Sequence, residues 1–372
     1  MNSDPYPAAP QELAIKQKRL FDLMQEHELD AILITRLSNF FWFTGGRDCS
    51  IFFSLERGEA ALWITPQRKA LIVPNVEAAR LAEEEGLADQ GYEFLVQPWW
   101  QPGRELARLS QGIRWGADWP LPGAEDLSDQ VARLRWPLTA EEIDRFRWLG
   151  QASASALEWA AFKTQPGMSE TQLAGLLAHE ALSRAVTPTL ALVGSDERVL
   201  KYRHPIPTPK LLKRYAMLVI CGRRWGLVAS ATRLVHFGPV PEELGRKLQA
   251  VAKVDATYIQ ATQPGAPVAG IFQRAAEAYT QAGYPEEWQK HYQGGAAGYE
   301  SREYESTPHS EEIVQADVAY AWNPSISGVK SEDTFLLTGL GREFVTVTEA
   351  WPQIEVNVQG QTIYRPDILR RS

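Results

Sequence analysis

The chain has 372 residues, 44% apolar and 23% charged, an ordinary balance for a folded protein and enough length for two domains with separate cores. Its 38 Lys plus Arg stand against 46 Asp plus Glu, a net charge of −8, and no basic run with interleaved aromatics occurs, which speaks against binding of nucleic acid. Cys49 and Cys221 lie far apart and outside any CxxC spacing, so no disulfide framework or cysteine zinc site is expected. No stretch of about 18 apolar residues is present to span a membrane, and the start of the chain lacks a signal-peptide pattern, so a cytoplasmic protein is expected. The 13 tryptophans are expected to serve cores and a subunit interface.

Residues 12–27 carry Leu13, Leu20, Leu23 and Met24 at helical spacing. The segment DAILIT predicts a strand, and SIFFSLERGEAALWIT predicts two strands around a Gly-containing turn. KALIVP predicts another strand and NVEAARLAEEEG a helix ended by Gly86, with Glu83 to Glu85 as its solvated face. EFLVQPW and IRWGAD complete an α/β domain over residues 1–134. A second domain is expected over 135–372; near its start Pro137 stops the preceding segment, and Thr139 and Glu142 have the spacing of a capping box. Ser169 and Gln172 repeat that spacing and open a second helix. TLALV predicts a strand, and YAMLVICGRRWGLVASATRLVHF two strands joined around Gly222 to Gly226. Helices over 241–262 and 267–282 precede ADVAYAWNP, GVKSEDTFLLT and REFVTVT, all strands, which makes this an α+β domain on an antiparallel sheet.

None of the six histidines sits in HxxxH or HExxH, and there is no G-x-S-x-G or Walker A sequence. Four places remain of chemical interest. His204 precedes a proline in YRHPIPT. Arg233 lies within an apolar strand, where an inward guanidinium requires a carboxylate or a ligand and an outward one is edge decoration. The segment HYQGGAAGYESRE joins close-approach glycines to His291, Tyr299, Glu300, Arg302 and Glu303. Glu332 and Asp333 are adjacent at the start of a strand, so only one of them can face inward.

Taken in order, LDAILITRLSNFFWFTGG, the boundary helix with PGMSETQL, and GVKSEDTFLLT resemble the creatinase/prolidase/aminopeptidase P superfamily over nearly the whole chain. The resemblance implies an α/β N-terminal domain and a pita-bread C-terminal domain. The peptidases of that superfamily hold two divalent metals with two Asp, one His and two Glu. Carried over position by position, the first Asp becomes Ile220, with Val219 as the alternative because the spacing is one residue short, and the second becomes Ser230. The ligand His becomes Gly295, four residues after His291; the first Glu becomes Asn323, and the last is kept as Glu332. His204 matches a further pocket histidine, and Arg302 replaces a histidine beside the metal site.

One carboxylate in place of four is expected to hold no metal pair and to need no cofactor; His291, Glu300 and Glu303 are the residues of a different single-ion site, should there be one. Creatinase, within the superfamily, hydrolyses a small guanidino compound without metal. On that precedent the leading expectation is a metal-independent hydrolase of a small C–N compound. His204 would shuttle the proton and Glu332 orient the substrate, with Arg302 and Arg233 clamping a carboxylate, Tyr299 donating a hydrogen bond, and Glu303 and His291 in the substrate pocket. The alternatives are a non-catalytic pseudopeptidase that binds a small molecule or short peptide, and a metal-dependent Xaa-Pro dipeptidase or aminopeptidase. The resemblance also implies a homodimer.

Overall fold

Helix Pro10–Glu26 opens the computed structural model, which describes residues 7–372. The chain divides into two compact units, Met1–Arg145 with Trp225–Leu227, and Phe146–Arg224 with Val228–Ser372. Leu20, Leu23 and Met24 of the first helix are buried as their spacing predicts, and so are Glu12 and Lys16 on the same face. Their charges are matched inside the unit. Lys16 Nζ lies 2.5 Å from Glu12 and 2.7 Å from Glu142, and Arg145 grips both oxygens of Glu12 at 2.8 and 2.7 Å. The units divide at Arg145/Phe146, where the sequence placed the boundary at 134/135, and all four members of this quartet lie in the first unit. The first turns of helix Ala140–Lys163 are committed to the first unit through Arg145 and Glu142. The capping box itself forms, with the Thr139 N–H donating to Glu142 at 2.7 Å and the Glu142 N–H to Thr139 Oγ1 at 3.3 Å.

The first unit carries a six-stranded mixed sheet with Ala31–Arg36 near its centre, antiparallel to Arg57–Thr65 and parallel to Trp115–Ala117. Asp118, at the end of the latter strand, is buried and accepts the Thr35 and Arg36 N–H groups at 2.7 and 2.9 Å and Asn39 Nδ2 at 2.9 Å. It thereby fixes the turn from strand Ala31–Arg36 into helix Leu37–Thr44. Two sequence expectations fail here. The segment 50–56 forms bends and turns, not a strand, because both edges of Arg57–Thr65 are already paired, to Ala31–Arg36 and Arg68–Pro74. Glu85 is not merely solvated; it is half-buried and accepts the Asp48 N–H at 2.8 Å. Among the described residues no helix is long and apolar enough to cross a membrane.

The second unit is built on two four-stranded sheets. One runs Leu369–Arg371, Leu227–Phe237, Tyr215–Arg224, Thr187–Ser195; the other runs Gly294–Ala297, Val318–Trp322, Asp333–Thr338, Gly341–Phe344, antiparallel throughout. The predicted hairpin turns at Trp225 and Gly226, both at positive φ (52° and 81°), the geometry that a tight two-residue hairpin loop requires. Helices Glu242–Ala261 and Val268–Gln281 bury their apolar faces in the core of this unit. The hairpin Gln353–Val358/Gln361–Pro366 and the strand Leu369–Arg371, which pairs in parallel with Val235–Phe237, were not foreseen from sequence.

Strand Leu227–Phe237 also joins the two sheets. Its Val228 N–H donates to Gly298 O at 2.8 Å and its Thr232 N–H to Glu332 O at 3.1 Å, while Thr334 Oγ1 accepts the Ser230 N–H and donates to Ser230 O, both at 2.9 Å. Arg233 points inward. Its guanidinium, 1% exposed, meets Glu158 at 3.1 Å and Asp333 at 3.0 Å and donates to the Thr346 carbonyl at 2.7 Å. Arg365 holds the other Asp333 oxygen at 3.0 Å and Asp255 at 2.7 Å. Removing one partner of such a group leaves buried charge unmatched. Arg233→Met is therefore expected to cost about 3–5 kcal/mol of unfolding free energy in urea titration; a loss under about 1 kcal/mol would show that the network does not support the sheet junction.

Candidate functional site

Where the two sheets meet, a cavity of about 130 Å³ is lined by residues from both. One wall is set by strand register. Leu190 pairs with Cys221 and Leu192 with Val219, so these four side chains share the cavity face, while Ile220, opposite Ala191, points away. The metal-ligand position assigned to Ile220 is thus corrected. The inward residues are Val219, the alternative, and Cys221, whose Sγ lies 3.3 Å from Ser230 Oγ. Burial and the Glu332 charge push the Cys221 thiol up, so it stays protonated.

Gly295 lies in strand Gly294–Ala297, paired with Ala321, and not in a loop. A Cβ built there would stand 2.2 Å from the Tyr304 carbonyl oxygen, so no side chain fits without backbone movement. Asn323 lines the cavity and is buried, and its Oδ1 has no hydrogen-bond partner among the described residues.

Glu332 faces the cavity and Asp333 the opposite side, as strand alternation requires. The Glu332 carboxylate is enclosed by donors. Arg302 Nη2 reaches Oε1 at 3.0 Å, and Lys330 Nζ and Thr232 Oγ1 reach Oε2 at 2.8 and 2.6 Å. Burial alone would raise its pKa, but the Lys330 ammonium and the Arg302 guanidinium overcome that and hold it at about 2. Lys330 escaped the sequence reading. The available signal was its place two residues before Glu332, which puts both side chains on one strand face. Its ammonium has three N–H donors, of which Glu332 takes one.

His204 and His291 come together, Nε2 to Nε2 at 3.1 Å, and His291 Nδ1 lies 3.1 Å from the Asn323 carbonyl. A carbonyl only accepts, so His291 carries its proton on Nδ1 and offers a lone pair at Nε2. His204 must then donate from Nε2, which leaves its Nδ1 as the basic nitrogen. Burial, then the Lys330 charge, pushes both imidazoles below the usual 6.5. Four predicted substrate residues do not line the cavity, and one of them, His291, reaches it only through His204. Arg233 is consumed by Glu158 and Asp333. Tyr299 is buried and gives its backbone N–H to Glu303 at 2.8 Å. Glu303 closes this turn, so the single-ion site of His291, Glu300 and Glu303 does not assemble. Among the described residues no group of three or more His, Cys, Asp or Glu is placed to hold a metal ion.

Fold and cavity together define a pita-bread protein with a creatinase-type N-terminal domain, and comparison with known proteins agrees. Residues 144–339 match the sequence model of metallopeptidase family M24 and residues 16–111 that of the creatinase/prolidase N-terminal domain. The chain belongs to metallopeptidase family M24. It is 22% identical to an uncharacterized peptidase of Staphylococcus aureus (strain MW2) over 355 residues, 89% of this chain and 98% of that one. The Xaa-Pro dipeptidase from Bacillus anthracis shares the fold with a TM-score of 0.77 at 18% identity, over 96% of this chain and 99% of that one. The N-terminal domain of FACT complex subunit SPT16 from Cicer arietinum does so with 0.69 at 14%, over 90% and 96%.

The pKa shifts give a pH prediction. A histidine held neutral in the fold but free to protonate when unfolded contributes stability that is full above pH 6.5 and declines as pH falls. Glu332, held at about 2 against an ordinary 4.5, contributes stability present above pH 4.5 and lost toward pH 2. Relative to the native chain, His291→Gln is expected to lose less melting temperature between about pH 6.5 and 5. Lys330→Met is expected to shift the acid limb of the profile to higher pH. Superimposable profiles for either variant would remove that residue from the account.

Proposed function

We propose that this M24 chain works without a metal pair and that its cavity binds a small polar molecule, or the end of a short peptide, through fixed side chains. The observation that carries this reading is the environment of Glu332. A dinuclear centre needs several anionic oxygens or imidazoles converging on one space. Of the five positions carried over from the peptidases, only Glu332 offers a carboxylate, and a guanidinium and an ammonium hold its two oxygens. The other positions present the apolar Ile220 or Val219, the Ser230 hydroxyl, no side chain at Gly295 and the neutral Asn323 amide. Two fixed cations thus stand against the carboxylate that would otherwise face metal. The unused N–H donors of Lys330 suit a ligand with an acceptor group, such as a carboxylate. A homodimer belongs to the same reading and rests on family resemblance alone.

The paired histidines favour a second reading, hydrolysis of a small C–N compound without metal. A neutral His204 with its Nδ1 lone pair free of any described partner would take a proton from water and return it to the departing nitrogen. Glu332 is not the base in this reading, because its carboxylate stays ionised and saturated near neutral pH.

Elemental analysis of protein dialysed against excess Mn²⁺, Zn²⁺ and Co²⁺ and then desalted is expected to find no stoichiometric metal, and Mn²⁺ is expected to elicit no Gly-Pro cleavage. Two ions per chain with Gly-Pro turnover would overturn the proposal and make the chain a metallopeptidase. Turnover of any member of a panel of guanidino and N-carbamoyl acids, lowered about 100-fold by His204→Ala, would establish the hydrolase reading over the binding one.

A further inference from the structure

A second cavity of the same unit, about 520 Å³, lies apart from the histidine pair and shares no lining residue with the first. Its volume is that of a small-molecule site. Leu200, Pro241, Leu244 and the Tyr215 ring supply apolar wall. The Tyr215 hydroxyl is spent on the Gly328 carbonyl at 2.7 Å, so the ring offers surface and not a donor.

The polar group of this cavity is His236, in strand Leu227–Phe237 and 4% exposed. Its Nδ1 lies 3.2 Å from the Gly238 carbonyl, which can only accept, so the proton sits on Nδ1 and Nε2 carries a lone pair. No described residue engages Nε2. His236 lines the cavity, so a ligand seated there can bring a donor to Nε2 in place of water. Nearby charge narrows the choice. The lining carries Asp196, Glu197 and Glu243 against Lys247, with Lys210 bound to Asp196 at 3.1 Å. The balance is acidic and favours a cationic donor over an anion.

We propose that this cavity is a binding site for a small amine with an apolar body, its ammonium donating to His236 Nε2 and its body lying against Leu200, Leu244 and Tyr215. The site is independent of what the first cavity does.

The probe is benzylamine, with benzoate as the acceptor-only control, titrated into the full chain while the ¹⁵N resonances of the histidine rings are recorded. Benzylamine is expected to shift the His236 Nε2 signal saturably, and benzoate to leave it unmoved. His236→Phe is expected to weaken benzylamine binding about 10-fold, the worth of one hydrogen bond to a buried acceptor. Should that variant fail to fold, Leu200→Trp serves, because Leu200 lines the cavity, is 49% exposed and leaves its space to the larger ring; it is expected to abolish the shift. An unmoved His236 signal, equal binding of benzoate, or a shift that survives Leu200→Trp would overturn the proposal.

Discussion

A carboxylate clasped by a guanidinium and an ammonium governs the candidate site. Glu332 sits at the end of a short connection between strands Val329–Lys330 and Asp333–Thr338, and its backbone carbonyl accepts the Thr232 N–H that joins the two sheets. The same residue therefore fixes the sheet junction through its main chain and the cavity's charge through its side chain. Burying a carboxylate alone would be prohibitive. Arg302 and Lys330 make it tolerable by holding its two oxygens. Neither cation is free to leave, because either departure strands a buried charge.

Asp333, one residue on, shows the same logic on the other face. It is shared between Arg233 and Arg365, which reach on to Glu158 and Asp255. Two adjacent acidic residues thus anchor two separate ion networks, one lining a cavity and one wholly internal. The separation follows from strand geometry alone, which sends successive side chains to opposite faces. Arg233 looked like a pocket residue because an inward arginine demands an anion; the anion turned out to be supplied from within the fold.

Much of this architecture could be read from residue order. The capping boxes at Thr139 and Ser169, the hairpin around Trp225–Gly226, the two long helices that follow it and the opposed Glu332 and Asp333 all rest on local rules that need no tertiary information. What escaped depends on pairing between distant segments. Ile220 and Cys221 cannot be told apart as cavity residues until the register with Thr187–Ser195 is known. The apolar run Ile51–Phe53 has the composition of a strand but no open edge to join. Tyr299 and Glu303 have the chemistry of substrate residues, yet the turn that holds them engages Glu303 Oε1 on backbone N–H groups. The His204–His291 pair spans 87 residues of sequence, and no spacing rule reaches that far.

At Gly295 the backbone itself leaves no room for a ligand side chain. If a histidine had merely been lost there, the space for it would remain, but the Tyr304 carbonyl stands where its Cβ would be. Ser230, meanwhile, touches Cys221 and receives Arg302 Nη1 at 3.4 Å, so the hydroxyl helps position the very guanidinium that holds Glu332. Under the proposed metal-free reading the catalytic consequence would be a ceiling. A metal lowers the pKa of bound water to about 7, whereas a lone general base contributes roughly 10²–10⁴-fold. That gain is small against the barrier of an unactivated peptide bond. On the proposed metal-free reading, turnover would therefore be confined to small, activated C–N bonds within reach of His204 Nδ1, and without such a substrate the same cations and histidines would make a binding site.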